Sequence, residues 1–303
     1  MAAGRLGSRP AMIRRVRIAI VGFGLIGGSI ARALRRAGAP GARDRWSSIA
    51  AWSRRPEVPR AALAEGVIDA APADLGSTVE GADVVVLAAP PLACLDLLAA
   101  FAGALQGALL PGATITDVAS TKRAIVARAD ALGLRFVGGH PMAGLERRGY
   151  EASDDALFVD RPWLVCPGAF AEPADVARIE GLALDCGARP VRLDPAVHDA
   201  ATAAISHAPL VVSAALVEAL AFGPDWPTAG SLAAGGWRDM TRLARGDPEM
   251  GAGIAVTNAD EIARRLRALR AALDAWIAAL EAEEPDAGAF AARFAAARDR
   301  LGR

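Results

Sequence analysis

The first half of the chain alternates short runs of β-branched and apolar residues with longer stretches rich in alanine and leucine. Short apolar runs bounded by turn residues are typical of buried strands, and the stretches between them have the length of helices. This alternation predicts a doubly wound parallel sheet with helices on its faces. The predicted strands cover residues 16–21, 48–52, 84–88, 114–118, 136–138, 163–166 and 189–193, and the clearest helices cover residues 27–37, 93–105 and 173–186.

The second half of the chain carries no strand signal beyond Asp194. Its apolar positions recur at helical spacing, which predicts long helices over residues 195–221, 231–244, 259–283 and 287–300. We therefore expect an α/β domain over residues 14–194 and an all-helical domain over residues 195–303. The apolar faces of the helical half are too broad for a solvated appendage, so we expect them to pack against a second copy of the chain in a homodimer.

The composition of the chain mainly argues against certain partners and locations. The 34 basic and 34 acidic residues cancel, so no basic surface for nucleic acid or an anionic membrane is expected. Glycines interrupt the apolar stretch over residues 18–30, which argues against a membrane span, and residues 1–17 lack the apolar region of a signal peptide. The three cysteines are widely spaced, and we interpret them as reduced structural thiols of a cytoplasmic protein. No residue pattern indicates a metal site.

A glycine-rich segment follows the first predicted strand directly and leads into the first predicted helix. In its GxGxxG motif, Gly22 permits the tight turn, Gly24 lets the backbone approach a pyrophosphate, and Gly27 allows the helix to pack closely on the strand. The alternative is a tight turn without a ligand, but the strand before and the helix after favour a dinucleotide site. The predicted contacts come from Gly22, Phe23, Gly24, Leu25, Ile26 and Gly27.

The end of the second predicted strand indicates which nicotinamide cofactor is preferred. NAD is usually recognised there by a carboxylate that accepts hydrogen bonds from the ribose 2′-hydroxyl. This chain instead has Ser53, Arg54 and Arg55, and guanidinium groups favour the 2′-phosphate of NADP. The sequence therefore predicts NADP, with NAD as the alternative if both arginines are ordinary surface charges. We expect Ala89 and Pro90, which follow the third predicted strand, to lie beside the nicotinamide.

Candidate chemistry follows two later strands. His140 lies in the segment GGHPMAG, which we expect to form a loop at the carboxyl edge of the sheet. A neutral imidazole there suits removal of a hydroxyl proton during hydride transfer, whereas the alternative is a core histidine. Ser120, in the segment DVASTK, can orient His140 or hold the nicotinamide, unless it only caps the next helix. Lys122 is the only lysine, which makes it a candidate for substrate binding, with a solvated surface position as the equal alternative.

The helical half adds three candidate substrate-binding residues. His207 lies two residues before Pro209 within a predicted helix, and such a proline kinks a helix and frees a carbonyl. Arg238 and Arg242 are four residues apart, so they are expected to share one face of a predicted helix. Two guanidinium groups on one face suit a dianionic substrate, although the alternative is a solvated basic stripe. His198 is interpreted as a capping or surface residue at the start of the first long helix.

Together these segments resemble the prephenate/arogenate dehydrogenase family. The resemblance runs in order through IVGFGLIGGS, DVASTK, GGHPMAG, ALF, SHAP and GGWRDMTRLARGDP. It implies a Rossmann-like domain, a helical dimerisation domain and an active site between them, where prephenate or arogenate is oxidatively decarboxylated on the route to tyrosine. It also implies that His140 takes the proton of the ring hydroxyl, that Ser120 supports His140, and that Arg242 holds a substrate carboxylate with Arg238 in a weaker role.

Three departures from the family pattern concern substrate choice. Leu210 stands where some members have a second histidine, Leu145 where a threonine is usual, and Gly251 where many have an aromatic residue. The run from Ser53 to Arg55, Leu210 and the DPEMG segment look more like the NADP-using, arogenate-preferring branch. Two other functions stay open, a different two-domain hydroxy-acid dehydrogenase and a non-catalytic NADP-binding sensor. The absence of lysine from the helical half disfavours a lysine-dependent dehydrogenase, and a sensor would not need His140.

Overall fold

The structure, a computed structural model, describes residues 16–36, 45–145 and 147–302. Seven strands form one sheet in the order β2-β1-β3-β4-β5-β6-β7. All neighbouring strands are parallel except β5 and β6, which are antiparallel. The strands are β1 (Val16–Val21), β2 (Trp46–Trp52), β3 (Val84–Leu87), β4 (Thr114–Asp117), β5 (Phe136–Pro141), β6 (Pro162–Pro167) and β7 (Arg189–Arg192).

Helices cover both faces of the sheet, because the strands are apolar on both sides. Alternate residues of β1 enter different clusters, with Ile18 and Ile20 on one face and Ala19 and Val21 on the other. The chain reverses its winding direction between β1 and β3, and ligands of open α/β sheets bind at the carboxyl ends of such strands. The helices of this half are α1 (Leu25–Arg35), α2 (Glu57–Ala64), α3 (Leu75–Val79), α4 (Pro91–Ala102), α5 (Arg123–Ala131) and α6 (Pro173–Asp185).

The predicted strands are confirmed within a few residues, with two differences. The sheet is not wholly parallel, since β6 runs against β5. Strand β5 is also longer than predicted, because its pairing with β6 extends to Pro141 opposite Trp163. His140 therefore lies on a strand opposite Leu164, and not on the loop that the sequence predicted. The predicted start at residue 14, residue 37 of the first predicted helix, most of the segment 1–17 and the end at residue 303 lie outside the described residues.

Beyond β7 the described chain is helical. Residues 195–220 form one long run, in which a π-helical turn (Ala203–His207) separates α7 (Pro195–Thr202) from α8 (Ala208–Leu220). The wider turn precedes Pro209, which lacks an N–H and would clash with the carbonyl four residues earlier, so it accommodates the proline without ending the helix. The remaining helices are α9 (Trp226–Ser231), α10 (Gly235–Thr241), α11 (Pro248–Thr257), α12 (Ala259–Leu280) and α13 (Ala287–Leu301).

The predicted helix over residues 231–244 is wrong. Residues 231–234 leave the helical path before Gly235 starts α10, and a 3-10 turn (Leu243–Arg245) follows α10. Helix α10 packs on α8, and its Trp237 also contacts Trp226 of α9 at 4.8 Å between ring centroids. Gly235 and Gly236 weaken helix formation at this point, as glycine does within any helix.

One helical run, Pro195–Leu220, is long and apolar enough to cross a membrane by length and composition. Three buried polar residues on this run indicate instead that it packs within the folded chain. His198, Asp199 and His207 on this run are buried, and Asp199 is hydrogen-bonded to the backbone of the α/β domain. These buried polar residues hold the run against the α/β domain, whereas most of its other side chains are partly or fully exposed.

Candidate active site

The glycine loop after β1 has the geometry that a dinucleotide requires. Gly22 has φ +93°, and a Cβ there would lie 2.3 Å from the carbonyl oxygen of Ala88. A Cβ on Gly27 would lie 2.4 Å from the carbonyl oxygen of Gly22, so both positions exclude any larger residue. A Cβ on Gly24, in contrast, would meet no atom within 4 Å. Gly24 thus borders open space in front of α1, where a pyrophosphate can approach the backbone.

The N-terminus of α1 is suited to bind an anion. Gly24 is its N-cap and has no side chain to occupy the first N–H groups, and the first turn contains no acidic residue. Leu25 and Ile26 present their backbone at this end, with partly exposed side chains. The Phe23 side chain is buried and stacks on Tyr150 at 5.4 Å between ring centroids, so Phe23 can contact a cofactor only through its backbone.

At the end of β2 the structure brings in a residue from the helical half. Ser53 accepts a hydrogen bond from the N–H of Arg55 (3.1 Å) and donates to the carbonyl of Arg55 (2.8 Å), which shapes the turn. Arg54 is exposed and pairs with Glu249 of α11 at 3.3 Å. Arg54 is therefore paired at the surface with a carboxylate from the helical half of the chain. Ala89 and Pro90 are partly exposed at the carboxyl end of β3.

His140 is partly exposed near the carboxyl end of β5 and is held by a second histidine. Its Nδ1 lies 2.9 Å from Nε2 of His198, and Nδ1 of His198 lies 2.8 Å from Oδ1 of Asp199. Both His198 and Asp199 are completely buried. The interpretation of His198 as a capping or surface residue is wrong, because Asp194 caps α7 by accepting from the N–H groups of Ala196 and Val197.

Asp199 also joins the two halves of the chain. Its Oδ1 accepts from the N–H of Lys122 (2.7 Å) and its Oδ2 from the N–H of Arg123 (3.0 Å), at the start of α5. Burial opposes ionisation of this carboxyl, but its hydrogen bonds with His198 and these N–H groups outweigh burial and lower the pKa of Asp199. Asp199 is thus an anion at neutral pH. It caps α5 in place of Ser120, so the capping role considered for Ser120 is not observed.

All three histidines are neutral at physiological pH. Burial lowers the pKa of His140 well below its ordinary value, and a positive charge on His140 would also be opposed by the nearby ammonium of Lys122 and by the protonated forms of His198 and His207. Burial also lowers the pKa of His198, against the hydrogen bond to Asp199. Burial lowers the pKa of His207 to about 4, against the charge of Asp199. A neutral His140 can accept a proton.

Lys122 does not reach the cleft, which contradicts its predicted contact with substrate. Its side chain is fully buried and its ammonium forms an ion pair with the buried carboxylate of Asp117. Asp117 also accepts hydrogen bonds from the N–H groups of Ala119 (3.0 Å) and Gly139 (3.1 Å). A Cβ on Gly138 would lie 3.0 Å from Cδ of Lys122, so the two glycines before His140 make room for this pair. Lys122 supports the strand that carries His140.

Three buried polar atoms at the site lack a partner within hydrogen-bonding geometry among the described residues, and they are the hydroxyl of Ser120, Nε2 of His207 and Oδ1 of Asn258. The His207 ring nevertheless interacts with the backbone of Ser120, which opposes the lowering of the His207 pKa by burial. Nδ1 of His207 lies 3.0 Å from the amide nitrogen of Asn258, which also donates to the carbonyl of Asp199 (2.9 Å). Asn258 therefore donates to His207, whose proton must lie on Nε2. The hydroxyl of Ser120 does not hold His140 here, because it has no hydrogen-bond partner among the described residues.

The two predicted substrate arginines are both exposed. Arg238 lies in α10, and Arg242 follows its end with helical backbone angles (φ −55°, ψ −44°). The next turn is fixed to α8, since the N–H of Ala244 donates to Oγ of Ser213 (3.0 Å). Arg242 is therefore tied to the helix that follows His207. Within the described ranges, no group of three or more His, Cys, Asp or Glu side chains could hold a metal ion.

The buried histidines predict how stability depends on pH. The pKa values of His198 and His207 are lowered in the folded protein. Below pH ~6.5, the ordinary pKa of histidine, these residues therefore bind protons in the unfolded state but not in the folded state. Their contribution is present above pH ~6.5 and is lost as pH falls toward the folded values. We expect His207 alone to lower the free energy of unfolding by about 1.4 kcal/mol per pH unit between pH ~6 and ~5. Urea unfolding at several pH values measures this slope.

The matched control for this slope is His207→Gln. The variant removes one titrating group and should flatten the slope by about that amount, whatever its effect on stability at pH ~7.5. An identical slope in the variant and the original protein would contradict the lowered pKa of His207.

The fold and the site define a nicotinamide-dependent dehydrogenase with a histidine at the carboxyl edge of its sheet. The profile described as "Prephenate dehydrogenase, nucleotide-binding domain" matches residues 30–192, and "Prephenate dehydrogenase, dimerization domain" matches residues 194–295. A prephenate dehydrogenase of Bacillus subtilis is 35% identical over 292 residues, which are 93% of this chain and 74% of that protein.

Solved structures agree. Synechocystis arogenate dehydrogenase is 32% identical with a TM-score of 0.74, and the match covers 94% of this chain and 99% of that one. The prephenate dehydrogenase of Aquifex aeolicus, solved with hydroxyphenyl propionate and NAD+, is 26% identical with a TM-score of 0.82, covering 96% and 100%. This chain belongs to the prephenate/arogenate dehydrogenase family. Its reaction is an NAD(P)-dependent oxidative decarboxylation in tyrosine biosynthesis.

Proposed function

We propose that His140 is the base of an oxidative decarboxylation of prephenate or arogenate, with NADP+ as the preferred cofactor. The observation that carries this proposal is the contact of His140 Nδ1 with His198, which leaves Nε2 of a neutral imidazole available for a proton. Family membership supports the reaction class. The glycine loop at Gly22–Gly27 fits the pyrophosphate of the cofactor, because Gly24 borders open space at the N-terminus of α1.

His140 removes the proton from the ring hydroxyl of the substrate. When bound, NAD(P)+ accepts the hydride that leaves ring carbon 4. Loss of the hydroxyl proton to Nε2 together with loss of the hydride from ring carbon 4 turns the carbon–oxygen bond at this carbon into a carbonyl. A base in contact with the reacting hydroxyl typically contributes ~10²–10⁴-fold to the rate.

The ring carbonyl then serves as the electron sink for decarboxylation. As the bond between the ring and its carboxylate breaks, the electron pair passes through the ring to the carbonyl oxygen, and CO2 leaves. The ring becomes aromatic, and the protonated His140 can return its proton to the phenolate oxygen. The chain has to supply orientation and carboxylate binding, and no further oxidant is needed.

The helical half of the chain is assigned to binding of the substrate carboxylates. We assign substrate carboxylate binding to Arg242, with Arg238 in a secondary role, because guanidinium groups bind carboxylates bidentately. The unpartnered hydroxyl of buried Ser120 is assigned to a ligand group, since a buried donor without a partner is costly. His207, whose ring interacts with the backbone of Ser120, is assigned to substrate binding beside it. Ser120 is assigned to the nicotinamide or the substrate oxygen and not to His140.

The preference for NADP+ is assigned to Arg54 and Arg55, next to Ser53. We expect Arg54→Ala to raise KM for NADP+ by about 10–100-fold, because one charge-assisted hydrogen bond contributes roughly 1.5–3 kcal/mol. KM for NAD+ should change little. Glu249 competes for the same guanidinium, so Glu249→Gln should lower KM for NADP+. Arg192→Ala, on β7 at the other edge of the sheet, is the matched control.

The assay crosses prephenate and arogenate with NAD+ and NADP+. We expect the highest kcat/KM with arogenate and NADP+, since Leu210 and the Ser53–Arg55 segment look more like the arogenate-preferring branch. A preference for NAD+, or equal effects of Arg54→Ala on both cofactors, would refute the cofactor assignment. A preference for prephenate would refute the substrate assignment alone.

The division into domains and the assembly complete the proposal. We place the boundary after Asp194, with residues 14–194 binding the dinucleotide and residues 195–303 binding substrate and a second copy of the chain. Exposed apolar side chains support an interface on the helical half, among them Leu220, Phe222, Leu273, Ile277 and Phe294. Cys94, Cys166 and Cys186 are buried free thiols, which fits a reducing cytoplasm.

A further inference from the structure

The hydrogen bonds around His140 determine which of its nitrogens carries a proton. Asp199 is an anion, so it can only accept, and Nδ1 of His198 must donate to it. His198 is neutral, which leaves Nε2 as an acceptor. Nδ1 of His140, 2.9 Å away, must therefore carry the proton that it donates to His198. The neutral His140 ring then has its lone pair on Nε2.

We infer that His198 and Asp199 are positioning residues, which fix His140 in the tautomer that can act as a base. The inference rests on the proposed function of His140. Without the acceptor at His198, a neutral imidazole would divide between two tautomers, and one of them has no lone pair on Nε2. A base with the wrong tautomer cannot take the hydroxyl proton, however well the ring is placed.

The hydrogen bonds from His140 to His198 and from His198 to Asp199 also stabilise the protonated state of His140. When Nε2 takes the substrate proton, the Nδ1–H of the imidazolium still donates to His198, and the Nδ1–H of His198 still donates to the carboxylate of Asp199. The new positive charge thus faces a fixed, buried anion through one neutral ring. Asp199 keeps its hydrogen bonds to the N–H groups of Lys122 and Arg123 throughout, so the carboxylate does not have to move.

The first test measures tautomers and needs no turnover. The chain has three histidines, so nitrogen NMR of protein labelled with ¹⁵N-histidine gives three ring patterns, assigned with His140→Asn, His198→Gln and His207→Gln. At pH ~8 we expect His140 and His198 to carry their proton on Nδ1 and His207 to carry it on Nε2. A His140 ring protonated on Nε2 would overturn the inference.

The second test uses two substitutions at His198. Glutamine can accept from His140 through its amide oxygen and donate to Asp199 through its nitrogen, whereas leucine fills a similar volume and does neither. We expect His198→Leu to lower kcat by about 10²-fold, at the lower end of what acid–base groups contribute. KM for substrate and for NADP+ should stay within about twofold. His198→Gln should recover most of the loss, and His140 in the leucine variant should show both tautomers.

The outcomes separate this inference from the proposed function. Equal losses in kcat for the glutamine and leucine variants, or a leucine variant with full kcat, would overturn the positioning role while leaving His140 as the base. If His140→Asn keeps full kcat although His140 is protonated on Nδ1, the tautomer assignment stands and the proposed function fails. If the leucine variant does not fold, the wild-type spectrum and the glutamine variant still decide.

Discussion

His140→Asn is expected to lower kcat by about 10²–10⁴-fold, the contribution of a well-placed general base. Asparagine is close in size to histidine and can still donate to Nε2 of His198, so the strand and the buried network should persist. It has no nitrogen that can take a proton near neutral pH. Dissociation constants for NADP+ and KM for the substrate should change little, because His140 is assigned to the reacting proton and not to binding. Steady-state kinetics and fluorescence titration of the cofactor measure both quantities.

The matched control is Met142→Leu. Met142 lies two residues beyond His140 on the same segment and is partly buried, so it reports on disturbance of the strand end alone. We expect its kcat to stay within about threefold. An unchanged kcat in His140→Asn would remove His140 from the role of base, and a loss that appears only in KM would assign it to binding.

The largest effect on stability is expected at Lys122, behind the strand that carries His140. Lys122→Met should lower the free energy of unfolding by about 3–5 kcal/mol, because it leaves the carboxylate of Asp117 buried without its counterion. Adding Asp117→Asn to Lys122→Met should recover part of the loss, since the second substitution removes the uncompensated charge. Urea unfolding of the three proteins at pH ~7.5 measures these differences.

The control for Lys122 is an exposed ion pair of the same sheet. Arg192 and Glu180 are paired at the surface, with 63% of the Arg192 side chain exposed. Arg192→Met should change the free energy of unfolding by less than about 1 kcal/mol, as exposed pairs do. A comparable, small effect at Lys122 would mean that the buried pair does not hold this strand in place.

The strands and the dinucleotide loop could be predicted from the sequence because their signals are local. Apart from Arg17, the run Val16–Val21 is buried, and a run of apolar residues indicates such a strand without knowledge of the neighbouring strands. The spacing of Gly22, Gly24 and Gly27 is likewise a local signal, because all three belong to one turn. The position of His140 at the edge of the sheet could be predicted for a similar reason, since it lies near the carboxyl end of β5. The extension of β5 to Pro141 was missed because it depends on pairing with β6, which is more than twenty residues later.

The rest of the site depends on contacts between distant parts of the chain. His198 lies 58 residues from His140 in sequence, and nothing local identifies it as its partner. The available signal was the rarity of histidine in this chain together with the acidic neighbour Asp199. Lys122 was misassigned because its rarity was taken as a sign of substrate binding, whereas Asp117, five residues earlier, holds it inside the fold.

The interruption of the predicted helix near Gly235 and the contact of Glu249 with Arg54 could not be predicted from local sequence either. The periodicity of residues 231–244 fits one helix, but packing of α10 on α8 overrides it. The carboxylate facing Arg54 comes from 195 residues further along the chain. Sequence motifs thus indicated candidate residues such as His140, and only the fold showed which distant side chains contact them.

Hydride transfer and decarboxylation are expected to be coupled at His140. An assay that follows reduced nicotinamide and released CO2 together, with arogenate or prephenate as substrate, measures this coupling. We expect equal amounts of reduced cofactor, CO2 and aromatic product with at least one of the two substrates, and a parallel loss of all three in His140→Asn. Binding of NADP+ without turnover of either substrate, or reduced cofactor without CO2, would contradict it.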